Sequence, residues 1–215
     1  MNLKLNPGIQ KRKKGIETAN RILEISAELF ARKSYDAVSV REISEAAGIK
    51  ESSLYNHFSS KANILEVLFD NFARTAPESR PSEPELDQML AIMRPEEIFK
   101  NIVFHVGSHM SETLANTARI IHYEKFRNPA AAQMYYKYMV KEPSEYYERL
   151  INKMEQWGMT GSVDVHTISE QYNYVSLALT EEYFMAKNGL ADMETVVKRM
   201  VKTLEFFCGL LKTGC

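Results

Sequence analysis

Apolar residues recur at helical spacing along most of the chain, and no segment shows the sustained alternation of a β-strand. The first such pattern predicts an amphipathic helix from Glu17 to Lys33. Its buried side is expected to be formed by Ile22, Leu23, Ile25, Leu29 and Phe30. The stretch from Lys61 to Arg74, further along the chain, also has the pattern of an amphipathic helix. The N-terminal third is therefore expected to be a small helical bundle.

Two shorter helices are predicted between these amphipathic ones. Ser39 and Glu42 have the spacing of a capping box at the start of a helix over 38–47. Gly48 follows, and glycine is the residue that most easily adopts the left-handed turn that ends a helix. A third helix is predicted over 51–58.

The remainder of the chain also has a helical pattern. The segment PESRPSEPE after Ala76 contains three prolines and is interpreted as a linker. Proline and glycine breaks are expected at Pro129, Pro143, Gly158/Gly161 and Gly189. The predicted fold is all-α, with about nine or ten helices. Those beyond the linker are expected near 95–113, 114–127, 129–141, 143–157, 164–187 and 192–212.

The two short helices around Gly48 have the pattern of a helix-turn-helix, because Ala46 and Ala47 are small enough for close packing. Its inner side is assigned to Ile43, Ala47, Ile49 and Leu54, with Phe58 closing the end. The open side of the second helix would enter a DNA major groove, where base edges are read. Tyr55, His57 and Lys61 would reach phosphates. The open side carries Glu51, Ser52, Ser53, Tyr55, Asn56 and His57.

The stretch SVREISEAAGIKESSLYNHFSSKANIL resembles the DNA-binding signature of the tetracycline-repressor (TetR) family of bacterial regulators. The resemblance covers roughly Ile16 to Phe72 and includes ILEISAELFARKSYDAVSV ahead of it. It implies that Arg41 can reach a base. By the same resemblance, the operator is read by Glu51, Ser52, Ser53 and Asn56, and the phosphate backbone is held by Ser39, Tyr55, His57 and Lys61.

The resemblance also implies an architecture and a function. Residues 1–61 would form the DNA-binding domain and residues 62–215 a larger effector-binding and dimerisation domain, with a helix from 61 to 75 connecting them. The function implied is a ligand-responsive regulator, a repressor released from a palindromic operator by a small apolar or aromatic effector. The alternative is a helical enzyme or small-molecule-binding protein in which DNA binding is secondary.

Three residues depart from the family pattern. Lys50 stands where a serine commonly caps the recognition helix, which predicts a weaker cap. Ser34 follows the first helix where glycine is common, which predicts a strained or differently shaped turn. Glu51 has the wrong charge for phosphate, although a carboxylate can accept from cytosine. These departures bear on the operator sequence.

Charge is distributed unevenly along the chain. Residues 1–61 carry eleven Lys/Arg against seven Asp/Glu, and the remaining residues carry sixteen against twenty-one. A basic first third is typical of a module that binds a polyanion. The KRKK run at Lys11–Lys14 is either a solvated arm or one that follows the minor groove or backbone. No stretch has the length of a membrane span, and two cysteines suggest a reducing compartment, so a cytoplasmic location is expected.

The second half of the chain gives fewer chemical signals. Candidate effector-binding residues are Phe104, His105, Tyr123, Trp157 and Tyr172. His105 and His109 have the i, i+4 spacing of two metal ligands, with Glu112 and His122 nearby in sequence. The alternative, which we prefer, is that these histidines are ordinary core or surface residues, and no metal or cofactor is predicted. We expect a homodimer through the helices near 164–187 and 192–212, because the last helix is apolar over too wide a face for one partner.

The catalytic motifs that would identify an enzyme are missing from the sequence. It contains no G-x-S-x-G, phosphate-binding glycine loop, H-E-x-x-H or C-x-x-C. An architectural DNA-binding protein without a ligand would not need so large a second helical region. Both alternatives are therefore less favoured than a regulator.

Overall fold

The computed structural model describes residues 7–213, and side chains are described from Lys14 to Lys212. Regular secondary structure in this range is helical. A 3-10 turn covers Pro77–Ser79 and a π-helical segment covers Tyr136–Lys141. The α-helices in chain order are α1 (Pro7–Lys33), α2 (Val40–Ala47), α3 (Glu51–Tyr55), α4 (Lys61–Thr75), α5 (Glu83–Ile92), α6 (Pro95–His109), α7 (Glu112–Glu124), α8 (Pro129–Tyr135), α9 (Glu142–Gln156), α10 (Val165–Lys187) and α11 (Met193–Thr213).

The chain forms two compact units, and neither is continuous in sequence. The first unit contains the residues up to Ala76 together with Met110–Tyr135. The second contains Pro77–His109 and the residues from Tyr136 onward. The all-α fold is thus confirmed. A functional boundary near residue 61 stays a prediction.

Helix α7 completes the first unit by packing against α1 and α4. Ile120 and Ile121 of α7 are almost fully buried, as are Ile22 and Phe30 of α1 and Ile64 of α4. Burying a side chain of this size contributes about 1.5–3 kcal/mol. The first unit is therefore held together by residues from two distant parts of the sequence.

Helix α2 begins as the sequence predicts. Ser39 Oγ accepts from the backbone N–H of Glu42 at 3.1 Å, which satisfies one of the free donors of the first turn. The predicted reciprocal bond from Glu42 is replaced, because its carboxylate pairs with the ammonium of Lys33. This ion pair connects the end of α1 to the start of α2.

The turn between α1 and α2 is held by contacts from two other helices. Ser34 has a φ of +75°, in the left-handed region that disfavours a side chain. Lys61 Nζ donates to the carbonyls of Tyr35 and Val38, both at 2.9 Å, and lies 4.2 Å from the centroid of the Tyr35 ring. The buried carboxylate of Glu124 accepts from the Tyr35 N–H at 3.4 Å. We call this group, formed by Ser34, Tyr35, Val38, Lys61 and Glu124, the turn clamp.

The second unit contains a helix where a linker was predicted. Within PESRPSEPE, the chain makes a 3-10 turn and then enters α5. Pro84 lies in the first turn of α5, where its missing N–H has no intrahelical partner to lose. Ser82 and Glu85 form a capping box there, with the Ser82 N–H donating to Glu85 at 2.7 Å. The linker interpretation was therefore wrong beyond Pro81.

A helix break was predicted at Pro143, but the chain is continuously helical there, with the wider π-helical segment directly before α9. Pro143 falls in the first turn of α9, directly after the π-helical segment. Proline cannot donate to the carbonyl four residues before it, which is that of Met139. The side-chain amide of Asn173 on α10 donates to this carbonyl and to that of Val140, both at 3.1 Å. The hydrogen bond that Pro143 cannot make to Met139 is thus replaced from a neighbouring helix.

The core of the second unit joins five of its helices and is rich in aromatic residues. Phe99 and Tyr172 meet edge-to-face with centroids 5.1 Å apart, and Tyr147 and Tyr172 likewise at 4.7 Å. Such pairs contribute roughly 0.5–1.5 kcal/mol beyond their burial. Cys208 lies in the same core, and burial raises the pKa of its thiol to about 11. Its main role is packing.

Replacing Ser34 by glycine should stabilise the protein. Glycine removes the steric cost of a positive φ, so we expect the free energy of unfolding to rise by roughly 0.5–1 kcal/mol. Thermal or urea unfolding measures the change. The control is Ser34→Ala, which keeps the Cβ atom and should bring no gain. A glycine variant no more stable than the alanine variant would contradict the strained turn.

Replacing Lys61 by methionine should destabilise the protein even without DNA. The variant keeps the aliphatic chain but loses two hydrogen bonds from a charged donor, with an expected loss of about 1–3 kcal/mol. Unfolding measures this, with Lys50→Met as the control at an exposed lysine. Equal effects at the two lysines would show that the clamp contacts contribute nothing specific.

Candidate DNA-binding and effector sites

Gly48 sets the angle between α2 and α3. Its φ is +65°, and its backbone N–H donates to the carbonyls of Ser44 and Glu45 at the end of α2. The next N–H, of Ile49, also returns to Ser44 at 3.0 Å. These bonds satisfy the last carbonyls of α2 and reverse the chain within two residues. The tight turn predicted from the sequence is present.

The inner side of the helix-turn-helix is buried, as predicted. Ile43 and Leu54 are 0% exposed, and Ala47 and Phe58 are also buried. Ile49 is half-buried. Because both α2 and α3 are anchored by these residues, the opposite side of α3 is presented to solvent in a defined orientation.

Helix α3 is shorter than predicted, since it ends at Tyr55. The chain nevertheless continues in helical turns, with His57 N–H and Phe58 N–H both donating to the Leu54 carbonyl at 2.9 and 3.0 Å. Asn56 and His57 therefore remain close to their predicted positions. The outward side chains are Glu51, Ser52, Tyr55 and Asn56, which are exposed, and Ser53 and His57, which are half-buried.

The N-terminus of α3 has the weak cap expected from Lys50. Lys50 occupies the N-cap position with extended backbone angles, and its side chain makes no capping hydrogen bond. In place of a side-chain cap, the Ser53 N–H donates to the Lys50 carbonyl at 2.9 Å.

Three other candidate DNA contacts already have partners in the free protein. Ser39 Oγ caps α2, Arg41 Nε lies 2.8 Å from Glu45 on the same helix, and Lys61 belongs to the turn clamp. The Arg41–Glu45 pair is exposed, so it is weak and easily exchanged for another anion. Lys61 has a structural role that the sequence motif alone does not reveal.

The KRKK run does not precede the first helix. Helix α1 begins at Pro7, so the backbone of Lys11–Lys14 is helical. This corrects the predicted helix start at Glu17. The side chains of residues 11–13 lie outside the described residues, and that of Lys14 is exposed.

The predicted effector residues do not share one environment. Tyr172 is buried in the core of the second unit. Phe104 is 76% exposed, Trp157 is 53% exposed and His105 is half-buried. Tyr123 is also exposed and belongs to the first unit. The effector role of this set stays a prediction.

His105 and His109 stack on each other on α6. Their ring centroids are 4.2 Å apart, and His109 Nδ1 lies 2.8 Å from the His105 carbonyl. Parallel rings do not direct their nitrogens at a common point. Within residues 14–212, no group of three or more His, Cys, Asp or Glu side chains is placed to hold a metal ion.

An open groove of about 530 Å³ lies between α10 and α11. Its apolar lining includes Ile168, Val175 and Phe206, and its polar lining includes Arg199 and Lys202. The broad apolar face of the last helix was the sequence signal for this region. No pattern in the sequence indicated the polar residues of this lining.

In the described part of the chain, no helix is both long and apolar enough to cross a membrane.

Comparison with known proteins identifies the N-terminal region. The sequence profile of "Bacterial regulatory proteins, tetR family" matches residues 22–68, the segment from α1 to α4 that contains the helix-turn-helix. The HTH-type transcriptional repressor KstR2 of Rhodococcus jostii is 43% identical over 51 residues, which are 24% of this chain and 25% of that protein. This similarity is confined to the DNA-binding part.

Two further proteins are similar over almost the whole chain. The HTH-type transcriptional regulator YvkB of Bacillus subtilis, itself uncharacterised, is 24% identical over 92% of this chain and 96% of its own. The crystal structure of a transcriptional regulator from Saccharomonospora viridis in complex with choline superimposes with a TM-score of 0.65 at 20% identity. It covers 90% of this chain and 96% of that one.

The helix-turn-helix geometry, the profile match and the full-length similarity agree with one another. The chain belongs to the tetR family of bacterial regulatory proteins and is a DNA-binding transcriptional regulator.

Proposed function

We propose that this protein is a homodimeric repressor that binds a palindromic operator and releases it when a small effector binds the second unit. The observation that carries the proposal is that the outward side of α3 is polar and faces solvent, whereas Leu54 on its inner side is buried. Short polar side chains there allow close approach to base edges. The relatives named as repressors support the sign of regulation.

The length and exposure of each side chain on α3 indicate whether it would contact a base or a phosphate. Ser53 and Asn56 carry short groups that can read bases, and an Asn amide matches the edge of adenine. Tyr55 is 52% exposed, and its hydroxyl can donate a hydrogen bond to a DNA phosphate. Affinity and specificity should therefore be separable by substitution.

A dimer through α10 and α11 is supported by the exposure pattern of α11. Leu204 and Phe207 face the core, whereas Val197, Val201 and Phe206 are 44%, 41% and 63% exposed. The second apolar face continues into the groove with α10. A second copy of the chain, related by a twofold axis, would cover this face and build a four-helix interface. Two recognition helices would then meet successive major grooves.

The effector would act by favouring one arrangement of the dimer over another. A ligand shifts such an equilibrium only as far as it binds the two arrangements with different affinity. We expect the effector to favour a spacing or tilt of the two DNA-binding units that no longer fits successive major grooves. The S. viridis regulator, solved with choline, supports a small-molecule site in a protein of this fold.

The DNA-binding prediction separates Tyr55 from Asn56. Tyr55→Phe removes one phosphate hydrogen bond, and we expect roughly tenfold or greater weakening on every sequence, because a bond to a charged group contributes about 1.5–3 kcal/mol. Asn56→Ala should instead change which base is preferred, by about 1–3 kcal/mol at one position of each half-site. Fluorescence anisotropy on fragments from upstream of the protein's own gene measures both.

Competition with non-specific DNA is the control for this experiment. Tyr55→Phe should weaken operator and competitor in parallel, and Asn56→Ala should weaken the operator alone. Parallel loss for both variants would show that Asn56 does not read bases. A wild type that binds neither the upstream fragments nor the non-specific DNA would contradict the proposed DNA-binding surface.

The dimer prediction uses residues that are exposed in the single chain. Val201→Glu and Phe206→Glu should convert a dimer into a folded monomer, because each would bury a carboxylate without a partner in the interface. Sedimentation measures the mass, and circular dichroism checks the helix content. Operator affinity should fall with the loss of the second half-site.

Ile92→Glu is the matched control, since Ile92 is 79% exposed and lies at the end of α5, away from α10 and α11 in sequence. It should leave the dimer intact. A wild type that sediments as a monomer at micromolar concentration while binding a palindrome tightly would exclude this interface.

A further inference from the structure

The open groove between α10 and α11 is apolar in its more buried part. Phe207 in its lining is 6% exposed, and Ile168, Val175 and Leu210 are half-buried. Its volume of about 530 Å³ lies within the range of roughly 300–1,000 Å³ that is typical of small-molecule sites. Both helices belong to the second unit, so the groove lies within one compact body. The groove therefore has the size and the apolar surface to hold the body of a small organic molecule.

The charged part of the lining is basic. Arg199 and Lys202 are the cations of the lining, and none of the described carboxylates contributes to it. Arg199 is paired with both oxygens of Glu182 on α10, so its charge is compensated. Among the side chains described from Lys14 to Lys212, none forms an ion pair with Lys202, although Glu205 follows it three residues later on α11. The groove therefore presents one uncompensated ammonium group.

The charged and apolar parts of the lining follow one another along α11. Arg199 and Lys202 come first in the chain, and Phe206 and Leu210 follow them in the same groove. Lys202 and Leu210 are eight positions apart, which corresponds to about 12 Å along a helix. Helix α10 adds the uncharged polar side chain of Gln171. A ligand that lies along α11 would thus meet a cation at one end and apolar side chains at the other.

We infer that this groove binds a medium-chain carboxylate, whose head group pairs with Lys202 and whose alkyl chain lies against Phe206 and Leu210. The inference deepens the effector role proposed above and rests on it, because the second copy that would cover α10 and α11 would also close the open side of the groove. A carboxylate brings one negative charge to the one uncompensated ammonium group. A phosphate monoester would bring about two negative charges to the same cation.

A carboxylate in the groove would act directly on the proposed dimer. The second copy that covers α10 and α11 would otherwise take the ammonium of Lys202 out of water without a partner, which is unfavourable. A bound carboxylate supplies that partner in each copy. Binding of the acid and association of the two copies should therefore strengthen each other, because coupling between two binding equilibria is reciprocal. The acid would favour the dimer arrangement that accommodates it best.

The test compares three ligands of equal chain length on the full-length protein: octanoate, the neutral 1-octanol and the cationic octylamine. Titration calorimetry measures binding, sedimentation measures the dissociation constant of the dimer, and anisotropy measures release of operator DNA. We expect octanoate to bind and 1-octanol to bind about tenfold more weakly, because only the acid gains a hydrogen bond between charged groups. Octylamine should bind most weakly, since Lys202 repels it. Octanoate should also tighten the dimer.

Lys202→Met keeps an unbranched side chain and removes the charge. We expect it to weaken octanoate binding about tenfold, to the level of 1-octanol, and to leave 1-octanol binding unchanged. Gln171→Trp places a bulky ring in the groove and should weaken the binding of both ligands. Lys198→Met is the matched control, because Lys198 is an exposed lysine of the same helix that pairs with Glu194 and does not line the groove. It should bind octanoate as the wild type does.

The outcomes separate the inference from the proposed function. Equal binding of octanoate and 1-octanol, no binding of octanoate at millimolar concentration, or an equal loss in Lys202→Met and Lys198→Met would each overturn the inference and leave the proposed repressor standing. A folded Gln171→Trp protein that binds both ligands as the wild type does would place the site elsewhere and also overturn it. Octanoate binding that depends on Lys202 but leaves operator affinity unaltered would support the site and contradict the proposed release mechanism.

Discussion

The orientation of the DNA-facing helices depends on how the chain turns after α1. The turn clamp holds this segment by two hydrogen bonds from Lys61 and one to Glu124, against the unfavourable backbone angle of Ser34. Helix α2 starts at Val40, five residues beyond the Tyr35 carbonyl of the clamp, and α3 is fixed to α2 by Gly48. A change in the conformation of this turn would therefore shift every side chain of α3.

The turn clamp also shows that one lysine of the sequence motif makes stabilising contacts within the free protein. The lysine at the start of α4 is read in the motif as a phosphate contact, yet in the free protein its ammonium satisfies two backbone carbonyls. One cation can do both only if DNA approaches without displacing those bonds. Glu124 adds a contact from α7, a helix some ninety residues away in sequence. The DNA-binding unit is thus stabilised by a segment that a motif search does not include.

The parts of the fold predicted correctly are those governed by local chemistry. The Ser39 cap and the Gly48 turn depend on the residue itself and its near neighbours. Helix α5 was missed because proline was read as a breaker, although in a first turn it is tolerated. Pro143 was misread for a different reason, because its rescue comes from Asn173 on another helix.

The chain passes from one compact unit to the other three times, after Ala76, after His109 and after Tyr135. A fragment that ends at residue 76 would contain the entire helix-turn-helix but would lack α7, leaving the apolar sides of α1 and α4 uncovered. Such a fragment is an aggregation hazard rather than an autonomous module. For protein engineers, a chimera that exchanges DNA-binding specificity needs the surface of α3 transplanted residue by residue, because the boundary of the motif is not a boundary of the folded body.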